Sequence, residues 1–100
     1  MSRRLDDEEI TRALDGLAGW SGDTTMIERT YTFPDFVTAV RGVDEVAVVA
    51  EDMDHHPDLD IRWRSVRVAL TTHDAGGVTQ LDVEQAHRIA DIAARLGAVS

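Results

Sequence analysis

Two stretches of alternating apolar and polar residues, only two residues apart, constrain the fold of this 100-residue chain more than any other feature. The alternating apolar positions are Leu59, Ile61 and Trp63 in the first stretch and Val66, Val68 and Leu70 in the second. Such alternation is typical of half-buried β-strands. The gap at Arg64-Ser65 is short enough for a hairpin, although neither residue is a usual choice for a tight turn. The two strands are therefore predicted to be antiparallel neighbours.

Three other segments carry apolar residues at helical spacing. The first helix is predicted over residues 6–17, because Asp6 can cap it and Glu9 can complete a capping box. The second begins at Pro34-Asp35 and ends around Asp54 or His55, since Pro57 disfavours helical geometry at the residue before it. Its predicted buried stripe comprises Phe36, Val40, Val43, Ala47 and Ala50, widened by Val37 and Val46.

The third helix opens with a second capping-box signature, in which Asp82 is predicted to be the N-cap, and closes at Gly97. Two further strands are predicted between the first and second helices, near residues 17–21 and over residues 26–33. The order α-β-β-α-β-β-α, with hairpins between helices, predicts an α+β fold of two layers. In it, a four-stranded antiparallel sheet carries the helices on one face, and residues 1–100 form a single domain.

Charge and composition exclude several classes of function. Ten Lys and Arg against nineteen Asp and Glu give a net charge of −9, which argues against a nucleic-acid-binding surface. There is no Cys for a disulfide or a thiolate metal site, which suits a reducing cytoplasm. No apolar run approaches the ~20 residues that cross a bilayer. The N-terminus lacks the apolar stretch of a signal peptide.

Three of the four histidines, His55, His56 and His73, lie in one window of the sequence together with Glu51 and Asp74. Imidazole titrates near pH ~6.5, so it can give and accept a proton in one turnover. Glu51 and His55 are four residues apart and are expected to share a helix face, where the carboxylate could orient the ring. The histidines converge if the end of the second helix meets the end of the fourth strand.

Other interpretations of these residues stay open at this point. The His pair could simply favour the helix dipole, a strand-end His73 could be solvated, and capping alone would explain Asp82. Glu51, His55 and His73 are types of ligand that suit zinc, but their spacing does not match His-Glu-x-x-His. No serine has a nucleophile-elbow context. Trp20 and Trp63 are expected in the core or an interface, and His87 on the surface.

The complete spacing is Glu51, three residues, His55-His56-Pro57, five residues, Trp63, nine residues, His73, eight residues, Asp82. This arrangement resembles the signature of the pterin-4a-carbinolamine dehydratase family. The resemblance implies the four-stranded antiparallel fold described above. It also implies dehydration of 4a-hydroxytetrahydropterin to quinonoid dihydropterin, which recycles the pterin of aromatic amino acid hydroxylases. It further implies no metal or organic cofactor, a pterin as small-molecule substrate, and a homodimer or homotetramer.

By the same resemblance, His55 and His73 transfer protons, His56 orients the substrate and Glu51 supports the histidine pair. The substrate pocket is formed by His55, His56, Pro57, Thr72, His73, Asp74 and Ala75, with Asp82 and Trp63 in supporting positions. An alternative function is a non-catalytic dimeric module that binds or assembles other proteins, since fold does not by itself establish activity.

Overall fold

The computed structural model describes residues 3–99, so residues 1, 2 and 100 of the predicted domain lie outside the described residues. The helices and strands are α1 (Asp7–Asp15), β1 (Ser21–Gly22), β2 (Ile27–Thr32), α2 (Phe36–Met53), β3 (Asp58–Arg62), β4 (Ser65–Leu70), a 3₁₀ turn (His73–Ala75) and α3 (Gln80–Arg95). The predicted order α-β-β-α-β-β-α is confirmed.

The four strands form one antiparallel sheet in the order β1-β2-β4-β3. The predicted β3–β4 hairpin is confirmed, but its turn consists of Trp63 and Arg64 rather than Arg64 and Ser65. Trp63 adopts a left-handed φ of 54° and so belongs to the turn, not to the strand. The strand predicted near residues 17–21 is instead a two-residue strand at Ser21–Gly22, at the edge of the sheet.

The core lies between α2, α3 and one face of the central strands. Val66 and Val68 of β4 pack there with Val46 of α2 and with Ile89 and Ile92 of α3. These positions follow from the strand alternation and the helical spacing, which bring apolar side chains to one side of each element. The helices therefore cover one face of the sheet.

Helix α2 buries a different stripe from the predicted one. Its buried residues are Ala39, Gly42, Val46 and Ala50, whereas Phe36, Val37, Val40 and Ala47 are exposed. The reason is the position of α3, which α2 contacts through the ion pairs Glu45–Arg95 and Asp52–Arg88. At 100° per residue, Phe36 and Val40 lie on roughly the opposite side of the helix from those pairs. Gly42 leaves room for Phe33, whose Cζ would be 3.0 Å from an added Cβ.

Strand β3 is exposed along its whole length, so the prediction of a half-buried strand is wrong for it. Leu59 and Ile61 retain 37% and 39% of their accessible surface. Both pair with β4 residues that face the helices, namely Val68 and Val66. β3 is one of the two edge strands, and its exposed side chains show that the helical layer leaves it largely uncovered.

The helix caps explain where the helices begin and end. The capping box of Asp6 and Glu9 at α1 is confirmed. Helix α2 ends at Met53, and Asp54 is its left-handed C-cap, close to the predicted end. At α3 the prediction is wrong, because the N-cap is Thr79 and Asp82 is the third helical residue of the capping box. Within the described part of the chain, none of the helices combines the length and the apolar composition that crossing a bilayer requires.

Candidate functional site

The best-defined contact among the predicted site residues joins His55 to Asp82. His55 Nε2 lies 2.5 Å from Asp82 Oδ1, and the two side chains keep only 11% and 0% of their accessible surface. His55 follows the left-handed Asp54, and its backbone N–H donates to the carbonyl of Ala50 at 3.0 Å. This turn at the end of α2 directs His55 towards the start of α3.

The second oxygen of the Asp82 carboxylate is also occupied. Oδ2 accepts hydrogen bonds from the backbone N–H of Thr79 and from the hydroxyl of Thr72, both at 2.8 Å. Because an ionised carboxylate only accepts hydrogen bonds, the hydrogen between His55 and Asp82 belongs to Nε2 of the ring. With the Asp82 carboxylate ionised, the neutral imidazole is the Nε2–H tautomer, and its Nδ1 makes no hydrogen bond within residues 3–99.

Thr72 connects this carboxylate to the segment that carries His73. The Thr72 hydroxyl lies 2.9 Å from that of Thr79. The backbone N–H of Thr72 donates to the carbonyl of Gly77, and the N–H of Gly77 donates to the carbonyl of Thr72. His73 follows directly and opens the 3₁₀ turn, with its side chain exposed. The Asp82 network thus joins His55 to the residue next to His73, although 18 residues of sequence (55 to 73) separate the two histidines.

Glu51 contacts His56 rather than His55. Glu51 Oε2 lies 2.6 Å from His56 Nε2, and both side chains are largely exposed. The expectation that Glu51 and His55 share a helix face is wrong, because α2 ends at Met53 and the left-handed Asp54 turns the chain. One carboxylate therefore supports each of the adjacent histidines: a buried one for His55 and an exposed one for His56.

The remaining predicted residues differ in how close they lie to this cluster. Pro57 follows the His pair and precedes β3, and Asp74 and Ala75 lie in the 3₁₀ turn with His73. Trp63 lies six residues beyond Pro57, at the far end of β3, so roughly 20 Å of extended chain separates them. Its side chain is 72% exposed. The structure does not bring Trp63 to the histidines.

Two residues in contact with the cluster were not singled out from the sequence. Gln85 donates from Nε2 to the backbone carbonyl of His55 at 2.6 Å, and Thr79 caps α3 and contacts Thr72. The Thr79-x-x-Asp82 pattern of a capping box could have identified the threonine. Gln85 lies three residues after Asp82 on the same helix face, and its polar side chain beside the inward-facing Ala86 and Ile89 was the available signal.

Two further observations concern metal binding and the surface grooves of the described residues. Among residues 3–99, no group of three or more His, Asp or Glu side chains is arranged to hold a metal ion. A groove of about 410 Å³ lies between the end of α1, β2 and α3, and its polar lining includes Arg29, His87 and Asp91. His87 is exposed there, as predicted.

Comparisons with known proteins agree with this fold. The family model described as "Pterin 4 alpha carbinolamine dehydratase" matches residues 3–92. A protein of Roseiflexus sp. (strain RS-1) named "Putative pterin-4-alpha-carbinolamine dehydratase" is 48% identical over 92 residues, which cover 92% of this chain and 99% of that protein. One of the same name from Mycobacterium tuberculosis (strain H37Rv) is 45% identical and covers 94% and 97%.

Two solved structures resemble the chain. The crystal structure of a transcriptional coactivator/pterin dehydratase from Brucella melitensis superposes with a TM-score of 0.88 and 38% identity, covering 91% of this chain and 99% of that one. A pterin dehydratase-like protein identified as a RuBisCO assembly factor in the alpha-carboxysome gives a TM-score of 0.62 at 19% identity, covering 74% and 86%. The second likeness shows the fold alone.

Proposed function

Because this chain belongs to the pterin-4a-carbinolamine dehydratase family, we propose that it dehydrates 4a-hydroxytetrahydropterin to quinonoid dihydropterin, which recycles the pterin of aromatic amino acid hydroxylases. The observation that carries the proposal is the hydrogen bond between His55 and the buried Asp82. A buried carboxylate that is held by three donors can fix the tautomer and the orientation of an imidazole before any substrate binds.

The reaction requires one acid and one base. The C4a hydroxyl leaves as water when it is protonated, and a base takes a proton from the pterin ring, so atoms and charge balance. His55 suits the role of base, because its Nδ1 makes no hydrogen bond among the described residues 3–99 and the Asp82 carboxylate stabilises the ring once it is protonated. His73 suits the role of acid, because its exposed ring follows Thr72 of the same network.

The other residues of the cluster are proposed to hold the substrate. His56 orients the pterin, and Glu51 fixes the His56 ring from the solvent side. Pro57 limits the backbone after the His pair, and the segment Thr72–Ala75 forms the opposite wall. The backbone pairing of Thr72 with Gly77 closes that segment into a short loop, which supports its role as a wall.

A pterin dehydration assay tests the proposal. Purified protein should accelerate the dehydration of chemically generated 4a-carbinolamine, and His55→Ala and His73→Ala should each lower the turnover at least about a hundredfold. His87→Ala is the matched control, because His87 is exposed on α3 and lines the groove beside the end of α1. Wild-type turnover in both His55→Ala and His73→Ala would reject the assignment of proton transfer to them. Circular dichroism checks that each variant is folded.

The exposed edge of β3 supports assembly into a homodimer, or into a tetramer of two such dimers. All five residues of β3 are exposed, and only β4 pairs with it within residues 3–99. An unpaired edge strand can pair with another chain. Since the net charge of −9 repels two copies, the contact itself must be locally attractive.

The sequence of β3 supplies that attraction in one register. If two copies pair antiparallel about Ile61, Asp60 lies opposite Arg62 of the second copy, and Arg62 lies opposite its Asp60. The same twofold arrangement brings Leu59 close to the turn that carries Trp63 of the second copy. A register centred on Asp60 would also pair Asp58 with Arg62 twice, but it places the two Asp60 side chains against each other, which is unfavourable. We therefore propose a twofold dimer centred on Ile61, with an isologous interface.

A non-catalytic binding module is the second candidate function. The observation that favours it is the exposed apolar face of α2, where Phe36 and Val37 are 50% and 66% exposed. The dehydration assay separates the two functions. The binding module would be established if the wild-type protein shows no turnover and binds a stoichiometric protein partner, and if Phe36→Asp abolishes that binding.

A further inference from the structure

Gln85 is a buried polar residue that contacts the backbone of His55 in the candidate site. Its side chain has 0% accessible surface and lies on α3, one turn after Asp82. Its Nε2 donates to the backbone carbonyl of His55 at 2.6 Å. Its Oε1 has no hydrogen-bond donor among residues 3–99.

Helix α3 therefore holds His55 at two places. Asp82 binds the ring at Nε2, and Gln85 binds the backbone carbonyl. The backbone N–H of His55 is also fixed, by the carbonyl of Ala50 at the end of α2. These three contacts fix both the backbone on either side of the His55 Cα and the far end of its side chain.

The unpaired Oε1 indicates what Gln85 contributes. A buried amide with only one of its two ends paired is unfavourable, and an apolar side chain of similar size avoids this cost. Core stability alone therefore does not account for an amide at this position. The available explanation is the single hydrogen bond that the amide does make, to the carbonyl of His55.

We propose that Gln85 is a positioning residue, which acts through the backbone of His55 to keep the imidazole in its hydrogen bond with Asp82. This inference rests on the proposed dehydratase function for its catalytic consequence, but not for its structural one. Small displacements of a catalytic group cost large factors in rate, because the geometry for proton transfer is narrow. Without the Gln85 contact, the one remaining hydrogen bond between residues 54–57 and α3, within residues 3–99, is that of the His55 ring.

Gln85→Leu tests the proposal, with Gln80→Leu as the matched control at an exposed position of the same helix. We expect Gln85→Leu to lower kcat about tenfold while KM changes less than about twofold, with a Tm no lower than that of the wild type. Gln80→Leu should match the wild type. A wild-type kcat in Gln85→Leu, or a loss of activity that follows the loss of folded protein in both Gln85→Leu and Gln85→Met, would overturn the proposal. Gln85→Met, which keeps the length of the side chain, provides the second variant if leucine prevents folding.

A measurement of the imidazole tautomers, which does not depend on enzymatic turnover, separates this inference from the proposed function. Long-range ¹H–¹⁵N spectra report which nitrogen of each imidazole carries the hydrogen. We expect His55 to be the Nε2–H tautomer in the wild type and a mixture of tautomers in the Gln85 variant. If the wild type does not dehydrate the pterin but the spectra change as expected, the dehydratase proposal fails and the positioning of His55 by Gln85 stands. If the wild type is active and both kcat and the spectra are unchanged in the variant, the role of Gln85 is wrong.

Discussion

The Nε2 of His55 lies 2.5 Å from Oδ1 of Asp82, although 27 residues of chain separate them. The same carboxylate belongs to the third helical residue of α3 and completes the capping box with Thr79. The carboxylate that helps to cap the start of α3 is therefore also the carboxylate that orients the imidazole. As a result, the start of α3 and the geometry of the candidate site cannot vary independently.

Asp82→Asn is predicted to lower kcat by at least about tenfold. The amide oxygen can still accept the hydrogen bond of Thr79 or Thr72, but the charge that stabilises a protonated His55 ring is lost. Loss of the charge-assisted hydrogen bond is expected to lower the free energy of unfolding by about 1–3 kcal/mol. Steady-state kinetics and urea unfolding measure the two effects. Asp91→Asn, at an exposed position of α3, is the control, and a wild-type kcat in Asp82→Asn would contradict the prediction.

The role of Asp82 also shows where local sequence patterns stop being informative. Capping boxes depend on residues three apart, so the sequence located the start of α3 correctly to within a few residues. It assigned the wrong residue as N-cap, because Leu81-Asp82 and Thr79-x-x-Asp82 both fit a helix start. Nothing local showed that the carboxylate is buried against His55, since that contact depends on how α2 ends and where α3 packs.

Glu51→Gln is predicted to have a smaller effect than Asp82→Asn. The Glu51–His56 pair is exposed, so water and salt screen it, and exposed pairs contribute little. Since His56 is proposed to orient the substrate, KM should rise while kcat stays within about threefold of the wild type. Kinetics at low and high ionic strength measure this, and the difference from the wild type should shrink in high salt. A kcat lower than that of Asp82→Asn would show that Glu51 acts on the chemistry directly.

The pH dependence of stability is predicted to include a contribution from Glu9. The hydrogen bond from Arg3, and then that from the backbone of Asp6, lower the pKa of Glu9 from 4.5 to about 2. The unfolded chain therefore binds this proton more readily than the folded chain. The stabilisation is complete above the ordinary pKa and is lost as the pH falls through the lowered one.

Glu9→Gln keeps an acceptor for the Asp6 backbone but removes the titration. Urea unfolding across the acidic range should show a steeper loss of stability in the wild type than in Glu9→Gln, and high salt should reduce the difference. Glu84→Gln, at an exposed position of α3, controls for the removal of one negative charge. Equal slopes in the wild type and Glu9→Gln would show that the Arg3 contact does not persist in solution.

The sequence predicted β3 as a strand but not its exposure. Alternation in a sequence shows which side chains share a face, and Leu59 and Ile61 do face the same side as the buried residues of β4. Whether that face is covered depends on the width of the helical layer, and α2 and α3 leave the edge of the sheet uncovered. The same limit applies to α2, on which Phe36, Val37 and Val40 are exposed although they are apolar.

Charge reversal in β3 is predicted to control self-association. Asp60→Arg and Arg62→Asp should each weaken the dimer, because each variant places like charges opposite each other twice in a twofold pairing about Ile61. The double variant Asp60→Arg/Arg62→Asp exchanges the two charges and should restore the dimer, since each arginine again meets an aspartate. Analytical ultracentrifugation over a range of concentrations measures the association. Asp44→Arg, an exposed charge reversal on α2, controls for the change in net charge. If the double variant associates as weakly as the single variants, this register is wrong, and if both single variants associate like the wild type, the dimer does not form through β3.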